Sequence, residues 1–278
     1  MQINEHARAK VNLCLHVTGQ RKDGYHLLDS IVVFADTGDL ISVVSSDEFS
    51  LTIKGPFADD LSAGADNLVL QAAKQFTKYC NGAAITLTKN LPVASGIGGG
   101  SADAAATMRA MSCMTGAPIP CDNGLSLGAD VPVCLQSISC RMEGVGDVIT
   151  PLADFPNFPA ILVCPKTGVA TASVFTAIDN KQNTPISDMP VTDLTPRNIG
   201  EYLCRQRNDL ESPSANINKE ISACLDLIKQ QGAFLARMSG SGATCFGLFE
   251  TMHKAETAAR TIAKSQPDWW VKPCMLGN

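Results

Sequence analysis

Residues 91–101 read Leu91-Pro92-Val93-Ala94-Ser95-Gly96-Ile97-Gly98-Gly99-Gly100-Ser101, and residues 102–113 that follow are rich in alanine and methionine. Both are strong helix formers, so a glycine loop runs directly into a helix N-terminus. Gly96, Gly98, Gly99 and Gly100 carry no Cβ, which lets the backbone turn sharply and approach a ligand closely. Successive N–H groups can then point inward as an anion-binding nest. The helix start adds N–H donors and the positive end of its dipole, and a phosphate is the natural guest. No Gly-Lys-Ser or Gly-Lys-Thr follows, so this is not a Walker A loop. The order also lacks the G-x-G-x-x-G spacing of a dinucleotide fingerprint. A plain turn between strand and helix is the structural alternative.

Outward from this loop, apolar alternation predicts strands at residues 10–17, 28–34, 40–44, 51–53 and 84–88, and a helix over 67–80. Residues 151–159 hold three prolines and read as a connector. Beyond it, strands are expected at 160–164, 233–238, 244–249 and 269–275, with helices at 171–178, 216–231 and 254–263. Strands and helices mix without a regular βαβ rhythm, which makes α+β the expected class. A second glycine cluster, Ser239-Gly240-Ser241-Gly242, falls between two of these strands. Alone it is an ordinary hairpin turn; with the first loop it suggests two backbone walls around one anion.

The 278 residues carry 22 Lys plus Arg against 27 Asp plus Glu, a net charge of −5. A mildly acidic chain argues against nucleic-acid binding, which needs a basic face to displace counterions. No apolar stretch reaches the length of a membrane span, and the N-terminus has no signal core, so the expected location is the cytoplasm. The eleven cysteines show neither C-x-x-C spacing nor a cysteine–histidine cluster. They read as small buried hydrophobes in a reducing compartment.

Two charges stand inside apolar runs. Lys10 lies between Ala9 and Val11, and Asp130 lies in Leu127-Gly128-Ala129-Asp130-Val131-Pro132-Val133. Burying either alone is expensive, whereas paired they satisfy each other. The plain reading is a structural salt bridge. Beside a phosphate site the same pair can accept a hydroxyl proton and neutralise developing charge. Tyr25-His26 follows the Asp23-Gly24 turn and is either half-buried packing or a surface that stacks on a base.

Taken in order, Ala9-Lys10-Val11-Asn12-Leu13, Asp23-Gly24-Tyr25-His26, residues 91–105, Gly128-Ala129-Asp130-Val131-Pro132, Arg207-Asn208-Asp209-Leu210-Glu211 and Met238-Ser239-Gly240-Ser241-Gly242-Ala243-Thr244 resemble the GHMP kinases, the family of galactokinase, homoserine kinase and mevalonate kinase. Each motif is weak; the ordered set, running nearly end to end, is specific. The resemblance implies a two-domain α+β kinase, residues 1–153 and 154–278, with its active site in the cleft between. It implies transfer of the ATP γ-phosphoryl group to a hydroxyl of a small alcohol bearing a cytidine diphosphate group. By motif, Lys10 and Asp130 match the catalytic pair, and Pro92, Val93, Ala94, Ser95, Gly96, Ile97, Gly98, Gly99, Gly100, Ser101 and Ala102 the ATP phosphate loop. Asn67 matches the adenine pocket. Asn12 and Thr171 match substrate contacts, Tyr25 and Phe175 the aromatic pair around the base, and His26 the group that reads its edge. Ala102 departs from the family, which often has a second serine there. Mg²⁺ is expected from phosphoryl-transfer chemistry, with no protein ligand assigned. A homoserine or mevalonate kinase has no use for the Tyr25-His26 pair, and a non-catalytic binding module has none for Lys10 and Asp130 together.

Overall fold

The computed structural model describes residues 2–190 and 192–277. The chain forms two compact units, each assembled from separate stretches, whereas the boundary read from the sequence at residue 153/154 is a single cut. One unit comprises residues 1–10, 37–93 and 98–137; the other comprises 11–36, 94–97 and 138–278. Strands and helices are mixed in both, as expected of an α+β chain.

Two long strands run through both units, β1 (Gln2–Gln20) and β2 (His26–Ser46), and they pair with each other. The first unit adds β3 (Ser50–Lys54), α1 (Leu68–Lys74), β4 (Gly82–Thr88), α2 (Gly99–Thr115) and α3 (Val131–Gln136). Here β4 lies between β2, antiparallel with Leu40 opposite Thr88, and β3, parallel with Ser50 opposite Ala84. Its core is made by Ile41, Val43, Val69, Phe76, Ile85 and Leu87 with the alanines and methionines of α2.

Residues 28–34 and 40–44 are one strand, not the two expected. Asp36, Gly38 and Asp39 look like a turn, but tertiary contacts satisfy them within a strand. Asp39 Oδ1 accepts the N–H groups of Asn90 and Leu91 at 2.5 and 2.8 Å. Gly38 leaves room for β1, since a β-carbon there would stand 2.2 Å from the carbonyl oxygen of Ala7. The helix expected over 67–80 is α-helical only as far as Lys74.

In the second unit, β5 (Cys140–Gly144) pairs with β2 and with β6 (Val148–Pro151). There follow β7 (Phe158–Cys164), α4 (Thr171–Thr176), α5 (Pro196–Cys204), α6 (Glu211–Ile217), α7 (Glu220–Gln230), β8 (Leu235–Met238), β9 (Cys245–Leu248), α8 (Met252–Ser265) and β10 (Trp270–Gly277). An antiparallel sheet runs β2, β10, β7, β9, β8. The helix expected over 216–231 is two helices, because Asn218 adopts an extended backbone and its side-chain oxygen accepts the Glu220 N–H. A core of Leu15, Val17, Ile161, Val163, Val174, Ile221, Ile228 and Ile262 fills this unit. No described helix is long and apolar enough to cross a membrane.

All eleven cysteines are free thiols, and Cys14, Cys134, Cys140, Cys164, Cys224, Cys245 and Cys274 are buried. Burial pushes the Cys14 thiol up to about 12 and that of Cys164 to about 11, which suits a packing role.

Candidate active site

The glycine loop forms as a chain of left-handed turns. Ala94, Gly96 and Gly98 have φ of 51°, 77° and 64°, the region that favours glycine and that Ala94 occupies at a cost. Gly99 is not among them: it is the first residue of α2, and Gly98 is the N-cap. The first helical hydrogen bond runs from Ala102 N–H to Gly98 O at 2.8 Å. The amides of Gly99, Gly100 and Ser101 therefore have no acceptor within the helix, the arrangement that binds anions. Pro92 and Ala102 are buried on either side, Val93 is half-buried, and Gly100 is exposed.

The ion pair between Lys10 and Asp130 expected from the sequence is present. Lys10 Nζ lies 2.8 Å from Asp130 Oδ2, with the lysine side chain 5% and the aspartate 35% exposed. Asp130 is the N-cap of α3, but its side chain makes no capping bond, which leaves the carboxylate to the lysine. The stem of Lys10 packs on the glycine loop: a β-carbon on Gly98 would stand 3.2 Å from Lys10 Cβ and 3.3 Å from its Cε. The α3 side approaches too, since a β-carbon on Gly128 would lie 3.9 Å from Ser101 Oγ. One guanidinium ties these elements together. Arg109 on α2 donates to the Glu5 carboxylate and the His6 carbonyl of β1, and to the Cys134 and Leu135 carbonyls of α3.

Asn67 is the N-cap of α1. Its oxygen accepts the Val69 N–H at 2.9 Å and its amide donates to Ser62 O at 2.8 Å, so much of its hydrogen-bonding capacity serves the helix end. Its neighbour Leu68 reaches the glycine loop, 3.7 Å from a β-carbon placed on Gly100.

In the second unit, residues 94–97 pack on the other glycine cluster. Thr244 N–H donates to Ser95 O at 2.9 Å, and Ser239 Oγ donates to Gly96 O at 3.2 Å. A β-carbon on Gly96 would meet Gly242 O at 2.5 Å. The two glycine segments therefore touch here as backbone on backbone. Asn208 holds the second cluster by donating to the carbonyls of Met238 and Gly240, and Glu211 accepts the Met238 N–H. Arg207-Asn208-Asp209-Leu210-Glu211 is thus a support for that turn, a role its residue types did not disclose.

Asn12 is buried beside it. Its N–H donates to Ser239 Oγ and its amide to Ser30 Oγ at 2.7 Å, while Oδ1 has no partner among the described residues. Thr171 opens α4 and shares a 2.9 Å hydrogen bond with Ser241. The His26 ring stacks on Phe175, centroids 4.8 Å apart and planes at 28°. Tyr25 is 65% exposed and projects into solvent, so Phe175 meets His26 directly, not Tyr25. His26 Nε2 is buried without a partner among the described residues. Burial and then Lys181 lower the histidine below its ordinary value, which favours the neutral ring.

The sequence reading missed a buried triad. Lys89, just after β4, lies 2.6 Å from Asp39 and 2.7 Å from Asp103. The signal that singled out Lys10 and Asp130, a charge within an apolar run, also marks Asp103 in Ala102-Asp103-Ala104.

Residues 67–152 match the GHMP kinases N terminal domain and residues 193–268 the GHMP kinases C terminal family, together more than half of the chain. The chain belongs to the GHMP kinases. Among the similar family members is the 4-diphosphocytidyl-2-C-methyl-D-erythritol kinase of Roseobacter denitrificans, 46% identical over 98% of this chain and 93% of that one. The kinase of the same name from Cereibacter sphaeroides is 50% identical over 97% and 98%. A crystal structure of 4-(cytidine 5'-diphospho)-2C-methyl-D-erythritol kinase superposes with a TM-score of 0.81 at 31% identity, covering 99% of this chain and all of that one. A homoserine kinase from Cytophaga hutchinsonii shares the GHMP fold at TM-score 0.67 and 16% identity. As a GHMP kinase, the protein is a small-molecule kinase with ATP as co-substrate.

Proposed function

We propose that the protein transfers the γ-phosphoryl group of ATP to the 2-hydroxyl of 4-diphosphocytidyl-2-C-methyl-D-erythritol, a step in non-mevalonate synthesis of isoprenoid precursors. The observation that carries the reading is the packing of Lys10 against Gly98 while its ammonium pairs with Asp130. A phosphate-binding helix end and a Lys with Asp pair thereby fall in one place. The two relatives named for this substrate, similar over nearly the whole chain, supply its identity.

In this reading the amides of Gly99, Gly100 and Ser101 hold phosphate oxygens, with Asn67 and residues 92–102 around the nucleotide. The substrate hydroxyl oxygen forms a bond to the γ-phosphorus as the bond from that phosphorus to the β,γ-bridging oxygen breaks, leaving ADP. The hydroxyl proton passes to the Asp130 carboxylate. A loose transition state puts little charge on the nucleophile, so Asp130 orients the hydroxyl first and accepts its proton late. Lys10 supplies positive charge beside both. Asn12 Oδ1 accepts a hydrogen bond from the substrate, and Thr171 lies in the substrate-binding loop. Tyr25 and Phe175 grip the cytosine, and the unpartnered Nε2 of His26 reads its edge.

Mg²⁺, bound with the nucleotide, would supply positive charge against the phosphates. Among the described residues, no three His, Cys, Asp or Glu groups converge as a metal cage. That fits an ion that enters on the nucleotide's phosphates and takes few protein ligands, and no residue is assigned to it. The test is ATP consumption with the cytidylated methylerythritol, homoserine and mevalonate in parallel. Turnover with the first alone is expected; equal or faster turnover of mevalonate overturns the assignment.

A further inference from the structure

Lys89, Asp39 and Asp103 are 2%, 0% and 3% exposed in their side chains. One ammonium and two carboxylates removed from water carry a surplus negative charge if all are ionised, which is costly. Asp39 spreads its charge over Lys89 and the N–H groups of Asn90 and Leu91. Asp103 has less support: Oδ2 meets Lys89, but Oδ1 is buried with no hydrogen-bond partner among the described residues. A proton on Asp103 removes the surplus. Burial raises its carboxyl, Lys89 pulls it back and Asp39 pushes it further, leaving it at about 8. Lys89 is held charged: burial alone would lower it, but the two carboxylates outweigh that and raise it.

This triad lies directly behind the phosphate turn. A β-carbon on Gly99 would stand 3.1 Å from Lys89 Nζ and 3.9 Å from Asp39 Oδ2. Asp103 itself sits on α2, one helical turn beyond Gly99. We propose that Lys89, Asp39 and Asp103 are positioning residues that hold the head of α2 and set the charge which nucleotide phosphates meet from inside the protein.

The proposal rests on the reading of residues 98–101 as the turn that meets those phosphates. With Asp103 protonated the triad is neutral, and the three amides act unopposed. When the proton leaves, a buried negative charge appears behind the turn and repels the triphosphate. The groups that face Asp103 are Lys89 after β4, Asp39 from β2 and Cys134 from α3, whose thiol burial keeps protonated. Lys10 and Asp130 are a further charged pair at the turn. Affinity for the triphosphate should therefore fall as pH rises through about 8. By linkage, binding should draw a proton onto Asp103 in that range.

The experiment is calorimetric titration of the full chain with a non-hydrolysable ATP analogue and Mg²⁺ from pH 7 to 9.5, with adenosine as the phosphate-free control. For the wild type, the analogue's Kd should rise by about tenfold, as expected of one partly screened charge close to the phosphates, while adenosine affinity stays level. In Asp103→Asn the slope should vanish. At pH 8 the wild type should take up protons on binding, read from buffers of different ionisation enthalpy. Equal slopes in wild type and Asp103→Asn would overturn the proposal. Absence of proton uptake by the wild type would do so even if the variant failed to fold. Gly100→Val, whose β-carbon would meet Leu68 at 3.7 Å and not the triad, tests the underlying reading separately: unchanged analogue affinity there removes the turn from the phosphates, whatever Asp103 does.

Discussion

Replacing Asp130 with asparagine separates chemistry from architecture. The change is nearly isosteric, and the asparagine oxygen can still accept from Lys10, whose Nζ stands 2.8 Å from the present carboxylate. What is lost is the negative charge and the proton acceptor. Breaking a fully buried ion pair costs about 3–5 kcal/mol. Here the aspartate is 35% exposed and the hydrogen bond survives, so about 1–2 kcal/mol is the expected stability loss, a fall in Tm of roughly 2–8 °C for a chain of this size. The kinetic loss should be larger. A missing acid–base group costs about 100-fold or more in kcat, or about 2.7 kcal/mol of barrier, with both Kd values nearly unchanged. Lys10→Ala should also lower kcat. The double variant should be little worse than the worse single one, because the two groups act as a unit. Steady-state kinetics with thermal melts by circular dichroism on all three variants check this. A folded Asp130→Asn with near-wild-type kcat would reduce the pair to a structural salt bridge.

Gly96→Ala should destabilise the fold by about 1–3 kcal/mol, because its φ of 77° is strained for alanine and its β-carbon would meet Gly242 O at 2.5 Å; chemical denaturation measures it, and an unchanged midpoint would refute the contact. Tyr25→Ala and Phe175→Ala should each weaken the cytidine ligand by roughly tenfold to a hundredfold, the scale of a lost stacking face. Their effects should be non-additive in calorimetry if both rings grip one base. His26 is held below its ordinary value, so its neutral ring prevails at neutral pH. Affinity for the cytidine ligand should fall as pH drops below the usual histidine range and lose that dependence in His26→Gln. The same sign holds for stability: a depressed histidine favours the fold above its unfolded value and withdraws that support as pH falls.

The glycine loop and the helix after it were legible in the sequence because each is local, and the Lys10 with Asp130 pair, distant along the chain, was legible because each charge stands in an apolar run. Glycine frees the backbone wherever it stands, alanine favours helix, and a charge in an apolar run needs a partner. Tertiary structure decided what depends on distant neighbours. Asp36, Gly38 and Asp39 look like a turn, yet they continue one strand because Met275, Ala7, Asn90 and Leu91 fill their hydrogen-bonding and steric needs. Asn218 divides a helix that the apolar spacing predicts as continuous. Phe175 stacks on His26, while Tyr25 projects into solvent. Lys89 is another such case. In sequence it is a polar residue at a strand end. Only the packing of β2, β4 and α2 encloses it with Asp39 and Asp103, and only that enclosure, by excluding water, makes the charge balance of three residues matter to the turn in front of them.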